Sequence, residues 1–306
     1  MVTIVVPFIA SYRTSFYEQL AQFMDYRIIA VQQPEKIESF KVENSLVDVF
    51  LRSYSFRKLT VFNPFSKLLR ESSTIVFSFD PKWLSIYFFI LTKWFHKKNI
   101  YLWTHGVSVV HGFNPESLRD RIKLFIFGLA DGVIFYTEVE KNIFSELLPN
   151  SRLSYLNNTL DTTKIIAGRR AVESKFSKEM LKEKYQINTK ICVIFCARFI
   201  EGRRVDLLVD LIIQMSDDDV TFIVIGEGAE KPEFGSFKNV LDFGAVYDYE
   251  IKSELFFMAD FCFQPAWTGL SIIESFANGV PYITFKKAEE VQQCVEYSYL
   301  YHGKNG

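Results

Sequence analysis

The sequence predicts an α/β chain of two Rossmann-like domains facing across a cleft. Three observations carry that expectation. The length of 306 residues corresponds to two domains at roughly 150 residues each. Apolar residues make up 49% and charged residues 23% of the chain, a globular balance that excludes a disordered or collagen-like polymer. Strand-length apolar runs also alternate with helix-like segments from one end to the other, as in βαβ units around a parallel sheet.

The elements follow in order. Residues 3–7 read as a strand, and the apolar stretch around them lacks the basic leader of a signal peptide. Residues 15–24 read as a helix with Phe16, Leu20 and Phe23 on one face. Further strands are expected at 27–31, 73–79, 100–103 and 132–136, and helices at 81–97 and 117–129. The segment 161–190 carries many charges and few strand formers, so it reads as a connector containing a helix. The domains are therefore drawn as 1–165 and 166–306. In the second, strands are expected at 191–197, 220–226, 240–243, 261–264 and 281–285, and helices at 205–215, 248–258 and 269–278. In such domains ligands sit at the carboxyl ends of the strands, near helix N-termini.

Net charge is −1, yet residues 52–123 hold 12 Lys+Arg against 4 Asp+Glu, while the chain from Arg169 onward carries −5. The basic window is interleaved with Trp83, Tyr87, Phe88, Phe89, Trp94 and Phe95. That composition suits contact with an anionic membrane surface, and it equally suits a helix buried under the sheet. The neutral total and the lack of a recognition module argue against nucleic acid as a partner. The longest apolar run, 83–95, is broken by Ser85, Thr92 and Lys93 and falls short of the roughly 20 residues of a membrane span. Cys192, Cys196, Cys262 and Cys294 form no CxxC pair and read as thiols of a reduced, cytoplasmic compartment.

Two segments carry chemistry. In 264–284 a strand ends at Pro265, Thr268 is placed to cap a helix, and Asn278-Gly279 closes it. The N–H groups of Gly269, Leu270 and Ser271, with the helix dipole, would make an anion site for a diphosphate. Glu274 shares a helix face with Ser271 and could accept hydrogen bonds from a ribose diol. The same spacing also suits an ordinary capped helix. In 197–208, Arg198 follows a strand and Arg203-Arg204 open the next helix. Cations are disfavoured there by the macrodipole, so a phosphate ligand would offset the repulsion; a solvated loop is the alternative. Asp217-Asp-Asp219 reads as a polar turn, and Gly226-Glu-Gly228 lacks the third glycine of a dinucleotide fingerprint. His105 and His111 have no carboxylate or cysteine at a metal-ligand spacing.

Arg198…Arg203-Arg-Val-Asp-Leu-Leu208, Ile225-Gly-Glu-Gly228, Phe243-Gly244 and Gly269-Leu-Ser-Ile-Ile-Glu274…Gly279-Val-Pro281 resemble the donor domain of glycosyltransferase family 4, which has the GT-B fold. Tyr12-Arg13…Phe16-Tyr17, Trp103-Thr-His-Gly106, Ala130-Asp-Gly-Val133 and Asn158-Thr-Leu-Asp161 match its first half more loosely. The resemblance implies a retaining, metal-independent transferase of hexosyl type that needs no cofactor. It would move sugar from a nucleoside-diphosphate sugar to a glycan or lipid-linked acceptor in surface polysaccharide biosynthesis. It assigns Arg198 and Arg203 to the donor diphosphate and to catalysis, with Arg203 where the family usually has Lys. His105 corresponds to the acceptor-domain histidine near the donor sugar. Glu274 matches the second of two Glu separated by seven residues; the first would fall at Ala266 and is absent. A nucleotide-sugar epimerase of the same fold and a non-catalytic binding subunit are the alternatives. Family members usually continue past a motif like His302-Gly-Lys-Asn-Gly306, so the resemblance also implies a truncated C-terminal end.

Overall fold

A computed structural model describes residues 1–31, 44–57 and 59–306. The chain divides into two compact units, Met1–Asn158 and Thr159–Gly306. In the first, the order is β1 (Val2–Val6), α1 (Thr14–Leu20), β2 (Tyr26–Ala30), β3 (Val49–Phe50), β4 (Ser53–Phe56), β5 (Leu59–Phe62), α2 (Lys67–Glu71) and β6 (Thr74–Ser78). There follow α3 (Leu84–Leu91), α4 (Lys93–His96), β7 (Asn99–Thr104), α5 (Leu118–Leu129), β8 (Gly132–Phe135), α6 (Glu138–Leu147) and β9 (Leu153–Tyr155). Seven strands make a parallel sheet in the order β3-β2-β1-β6-β7-β8-β9, and β4 and β5 pair separately as an antiparallel hairpin. A parallel sheet covered on both faces needs strands apolar on both sides. Ile75, Phe77, Ile100, Leu102, Val133 and Phe135, alternate residues of three strands, share one face and lie in one core with Phe127 and Phe144 from the helices.

The second unit runs α7 (Thr163–Lys175), α8 (Lys178–Lys184), β10 (Ile191–Cys196), α9 (Val205–Gln214), β11 (Val220–Ile225), β12 (Val240–Asp242), α10 (Tyr249–Met258), β13 (Phe261–Phe263), α11 (Ser271–Ala277) and β14 (Tyr282–Ile283). Its five parallel strands are ordered β12-β11-β10-β13-β14. Every residue of β11 is buried. Leu208 and Ile212, one turn apart, carry α9 onto the sheet. Asp248 caps α10 by accepting from Glu250 N at 2.8 Å and Ile251 N at 3.3 Å.

Several expectations are corrected in detail. The helix expected over 81–97 is α3 and α4, because the Thr92 hydroxyl bonds back to the Phe88 carbonyl at 2.6 Å and Thr92 leaves helical geometry. Phe23 lies past the end of α1 and is exposed. The boundary drawn at 165/166 falls inside α7, which packs on α10 of the second unit. Of the twelve basic residues in 52–123, Lys67 pairs with Glu71 one helical turn away, Arg52 and Arg57 lie over aromatic rings, and four more are held by partners. Lys93 pairs with Asp131 at 2.6 Å, Lys98 donates to the carbonyls of Arg70 and Ser72, and Arg119 and Lys123 both bind Asp120. Lys58 lies outside the described residues.

Candidate functional site

The chain lays β11 and then β12 on one side of β10 and then returns to place β13 on the other. The carboxyl ends of β10 and β13 thus flank a reversal of strand order, where the loops diverge and leave a crevice. Residues 197–204 leave β10 there, and residues 264–270 leave β13. Arg203 joins the two loops, its Nη1 donating to the Trp267 carbonyl at 3.1 Å. Gly202 has a φ of +89°, and a Cβ on it would lie 2.8 Å from the Trp267 indole, so only glycine lets that ring approach. Arg203 Nε is buried and has no hydrogen-bond partner among the described residues. Burial lowers the Arg203 pKa, and the nearby Arg198 cation acts in the same direction. Two guanidinium groups thus share one strand-end crevice. Arg204 is different: it takes a φ of +51° at the start of α9 and pairs with Asp206 at 2.6 Å.

The second loop is fixed from within. Thr268 does not cap α11; its hydroxyl and N–H both donate to Gln293 Oε1, at 2.9 and 3.0 Å. Leu270 is the capping residue and offers no side-chain acceptor. The N–H groups of Gly269 and Leu270 donate to no group among the described residues. Ser271 Oγ donates to Gln264 Oε1 at 3.0 Å and lies 2.9 Å from the Tyr282 hydroxyl. Gln264 in turn donates to the carbonyls of Ala266 and Trp267. Ala266 is fully buried, so the position where the resemblance expects a carboxylate has no opening to solvent. Glu274 is bound by Lys252 at 2.6 Å, with Cys196 Sγ 3.9 Å away. Burial pushes the Cys196 thiol up to about 12, so it stays protonated. Gln264, Tyr282 and Lys252 are components that sequence reasoning missed. Lys252 comes from α10, and no spacing links it to Glu274.

In the first unit His105 follows β7, and Gly106 takes a φ of +69°. A Cβ on Gly106 would sit 2.6 Å from the Phe144 ring. Lys123 Nζ donates to the Gly106 carbonyl at 2.6 Å and to Asp120 at 2.9 Å. Asp120, fully buried, also accepts from Asn114 N, the Ser117 hydroxyl and Arg119. Although burial opposes it, these donors hold its carboxyl below the usual carboxylate range. The His105 ring stacks on Tyr136 at 3.9 Å. The residue is nonetheless exposed. Desolvation of the imidazole, and then the Arg13 cation, push its pKa down to about 4. Among the described residues no three His, Cys, Asp or Glu are placed to hold a metal ion.

No known protein family and no curated protein matches the sequence. Solved structures do. Anabaena HepE in complex with UDP and glucose matches with a TM-score of 0.60 at 13% identity, over 99% of this chain and 83% of HepE. A glycosyltransferase from Rickettsia africae gives 0.59 at 15% identity, over 92% and 78% of the two chains. Sucrose-phosphate synthase from Thermosynechococcus elongatus gives 0.56 at 14%, over 92% and 80%. The fold is GT-B. At these identities the likeness is one of fold. Among the described residues no helix is long and apolar enough to cross a membrane.

Proposed function

We propose that the protein is a retaining glycosyltransferase that takes a sugar from a nucleoside-diphosphate sugar, with a uridine nucleotide as the first candidate. The observation that carries this is the guanidinium pair Arg198 and Arg203 at the strand-order reversal, with a buried Arg203 N–H lacking an acceptor. A diphosphate there would accept from Arg203 Nε and from the Gly269 and Leu270 amides. It would also relieve the mutual repulsion of the two cations. The same donors would stabilise negative charge as the diphosphate departs, so their contribution grows toward the transition state. The retaining reading is a front-face attack in which the leaving phosphate accepts the acceptor's proton. No metal is invoked. HepE was solved with UDP and with UDP-glucose, which supports the choice of nucleotide.

Neutral His105 would offer a hydrogen bond near the transferred sugar without adding charge. The acceptor class is a glycan or lipid-linked glycan of a surface polysaccharide, reached at an anionic membrane face. The exposed Trp94 and Phe95 beside Lys97 support such a contact.

The deciding experiment is a thermal-shift panel of UDP, GDP, ADP and TDP on the full chain, with Arg203→Ala alongside. UDP should raise the melting temperature of the wild type and not of the variant. Equal shifts in both proteins, or none in either, would overturn the donor site. Incubating donor sugar without acceptor then separates transfer from epimerisation, since only an epimerase interconverts the sugar alone.

A further inference from the structure

Arg13 occupies an unusual place for a cation. Its guanidinium carbon lies 4.9 Å from the Trp103 ring centre, 5.1 Å from that of Tyr136 and 5.7 Å from that of Tyr12. Its Nη2 donates to the neutral Asn158 amide oxygen at 3.1 Å. It also hydrogen-bonds the Tyr12 side chain, and among the described residues the groups acting electrostatically on it are tyrosines, with no carboxylate. Trp103 is buried, and its indole N–H has no acceptor among the described residues. The guanidinium therefore lies over the ring that carries the unsatisfied N–H donor. A buried donor without an acceptor and a charge without a counter-charge each cost stability. An oxyanion would satisfy both. The place is a strand-end one: Arg13 follows β1, Trp103 is in β7, Tyr136 follows β8 and Asn158 follows β9.

We propose that Arg13, with the Trp103 indole N–H, forms an anion subsite of the first unit that takes a carboxylate or phosphate group carried by the acceptor. The word acceptor rests on the transfer reading above; the anion subsite itself does not. Guanidinium groups suit both oxyanions because their forked donors match two oxygens at once. The aromatic rings hold the guanidinium plane, so less side-chain freedom is lost on binding. His105 supplies a built-in reporter. It packs on the same Tyr136 ring, and the Arg13 charge depresses its pKa. An anion seated on Arg13 cancels part of that charge and must raise the His105 midpoint. Tyr12, Tyr17 and Tyr136 also face this cluster, and Arg13 is the charged group that acts on His105.

The test is NMR titration of His105 in the full chain labelled at histidine, with His105→Gln to assign the signal. Inorganic phosphate and glucuronate serve as anions and glucose as the neutral control. Both anions, or the one that matches the acceptor, should raise the midpoint by about one pH unit, while glucose leaves it in place. Arg13→Gln should raise the midpoint without any ligand and abolish the anion response; Arg13→Lys should retain a weaker one. No response of the wild type to either anion overturns the subsite, whatever Arg13→Gln does to stability. UDP is the remaining arm. If UDP moves His105 through Arg13 and blocks phosphate, the anion belongs to the donor, and the acceptor assignment falls. None of these readouts needs turnover, so failure of the transfer assay and failure of this subsite remain distinguishable.

Discussion

Among single residues, what each charged side chain does is decided by whether its partner is already inside the protein. Arg204 has Asp206, whereas Arg203 keeps a buried N–H without an acceptor. Arg203→Ala should therefore weaken UDP binding about 10- to 100-fold, the loss of one or two charge-assisted hydrogen bonds, while Arg204→Ala changes it little; calorimetric titration separates them. Asp120 and Lys123 form a buried pair beneath Gly106. Asp120→Asn should cost about 3 kcal/mol in urea unfolding, because an unpaired buried ammonium remains. The double variant with Lys123→Met should recover part of that. His105 gives a pH prediction. Its folded pKa of about 4 lies below the ordinary 6.5, so between those values the unfolded chain binds more protons. Stability should fall as pH drops through that window and be insensitive to His105 above it. His105→Gln should flatten the slope. Arg203 was legible in the sequence because Arg203-Arg204 at a helix start defy the macrodipole, and Arg198 because it follows a strand; Arg204 turns out to be paired with Asp206. Lys252 was not, since its only link to Glu274 is an ion pair across the fold.

Elements were readable where their apolar period was long, and lost where it was short or interrupted. The inner strands of both sheets follow from runs such as Ile191–Cys196, all but one of whose residues are at least partly buried, whereas the short edge strands β3 and β9, of two and three residues, carry no such run. The β4–β5 hairpin escaped. Ser53, Tyr54, Ser55 and Phe56 alternate, but the turn lacks the Asn-Gly or Asp-Gly pair that marks a tight hairpin, and Arg57 takes the positive φ instead. The structure also divides the basic aromatic stretch into two populations. Trp83, Ile86, Phe89 and Ile90 are core. Trp94 and Phe95 are 86% and 89% exposed, and Tyr54, Phe56, Leu59 and Val61 are exposed across paired positions of the hairpin. Arg52 and Arg57 lie over Tyr54 and Phe56, which puts charge beside exposed apolar surface. The double variant Trp94→Ala/Phe95→Ala should reduce binding to anionic vesicles severalfold in a sedimentation assay with no loss of melting temperature, since neither side chain contributes to the core. Wild-type binding should weaken as salt rises. Unaltered binding in the double variant would remove α4 from the contact.

At the scale of the whole chain, the near-zero net charge conceals two unequal halves. The unit Met1–Asn158 carries +4 and the unit Thr159–Gly306 carries −5. An anionic nucleotide is thus assigned to the acidic unit, where the general field repels it and only local donors at the β10 and β13 ends can hold it. Binding should then depend on short, partly desolvated contacts more than on long-range steering, and rising salt should change it modestly. Each unit also has its own hydrophobic core, so heat unfolding need not be a single transition. If the nucleotide site lies wholly within the second unit, saturating UDP stabilises that unit directly. At about 100 times the dissociation constant the gain is about 2.7 kcal/mol, or roughly 5–10 °C for a domain of this size. Calorimetry combined with hydrogen exchange reads this out by region. UDP should slow exchange in residues 191–204 and 264–275 and raise the transition that includes them. Hydrogen exchange at β1, β7 and β8 should remain near its ligand-free rate. Protection spread evenly over both units would place nucleotide contacts on the first unit as well, and the assignment of the donor to Arg198 and Arg203 alone would have to be abandoned.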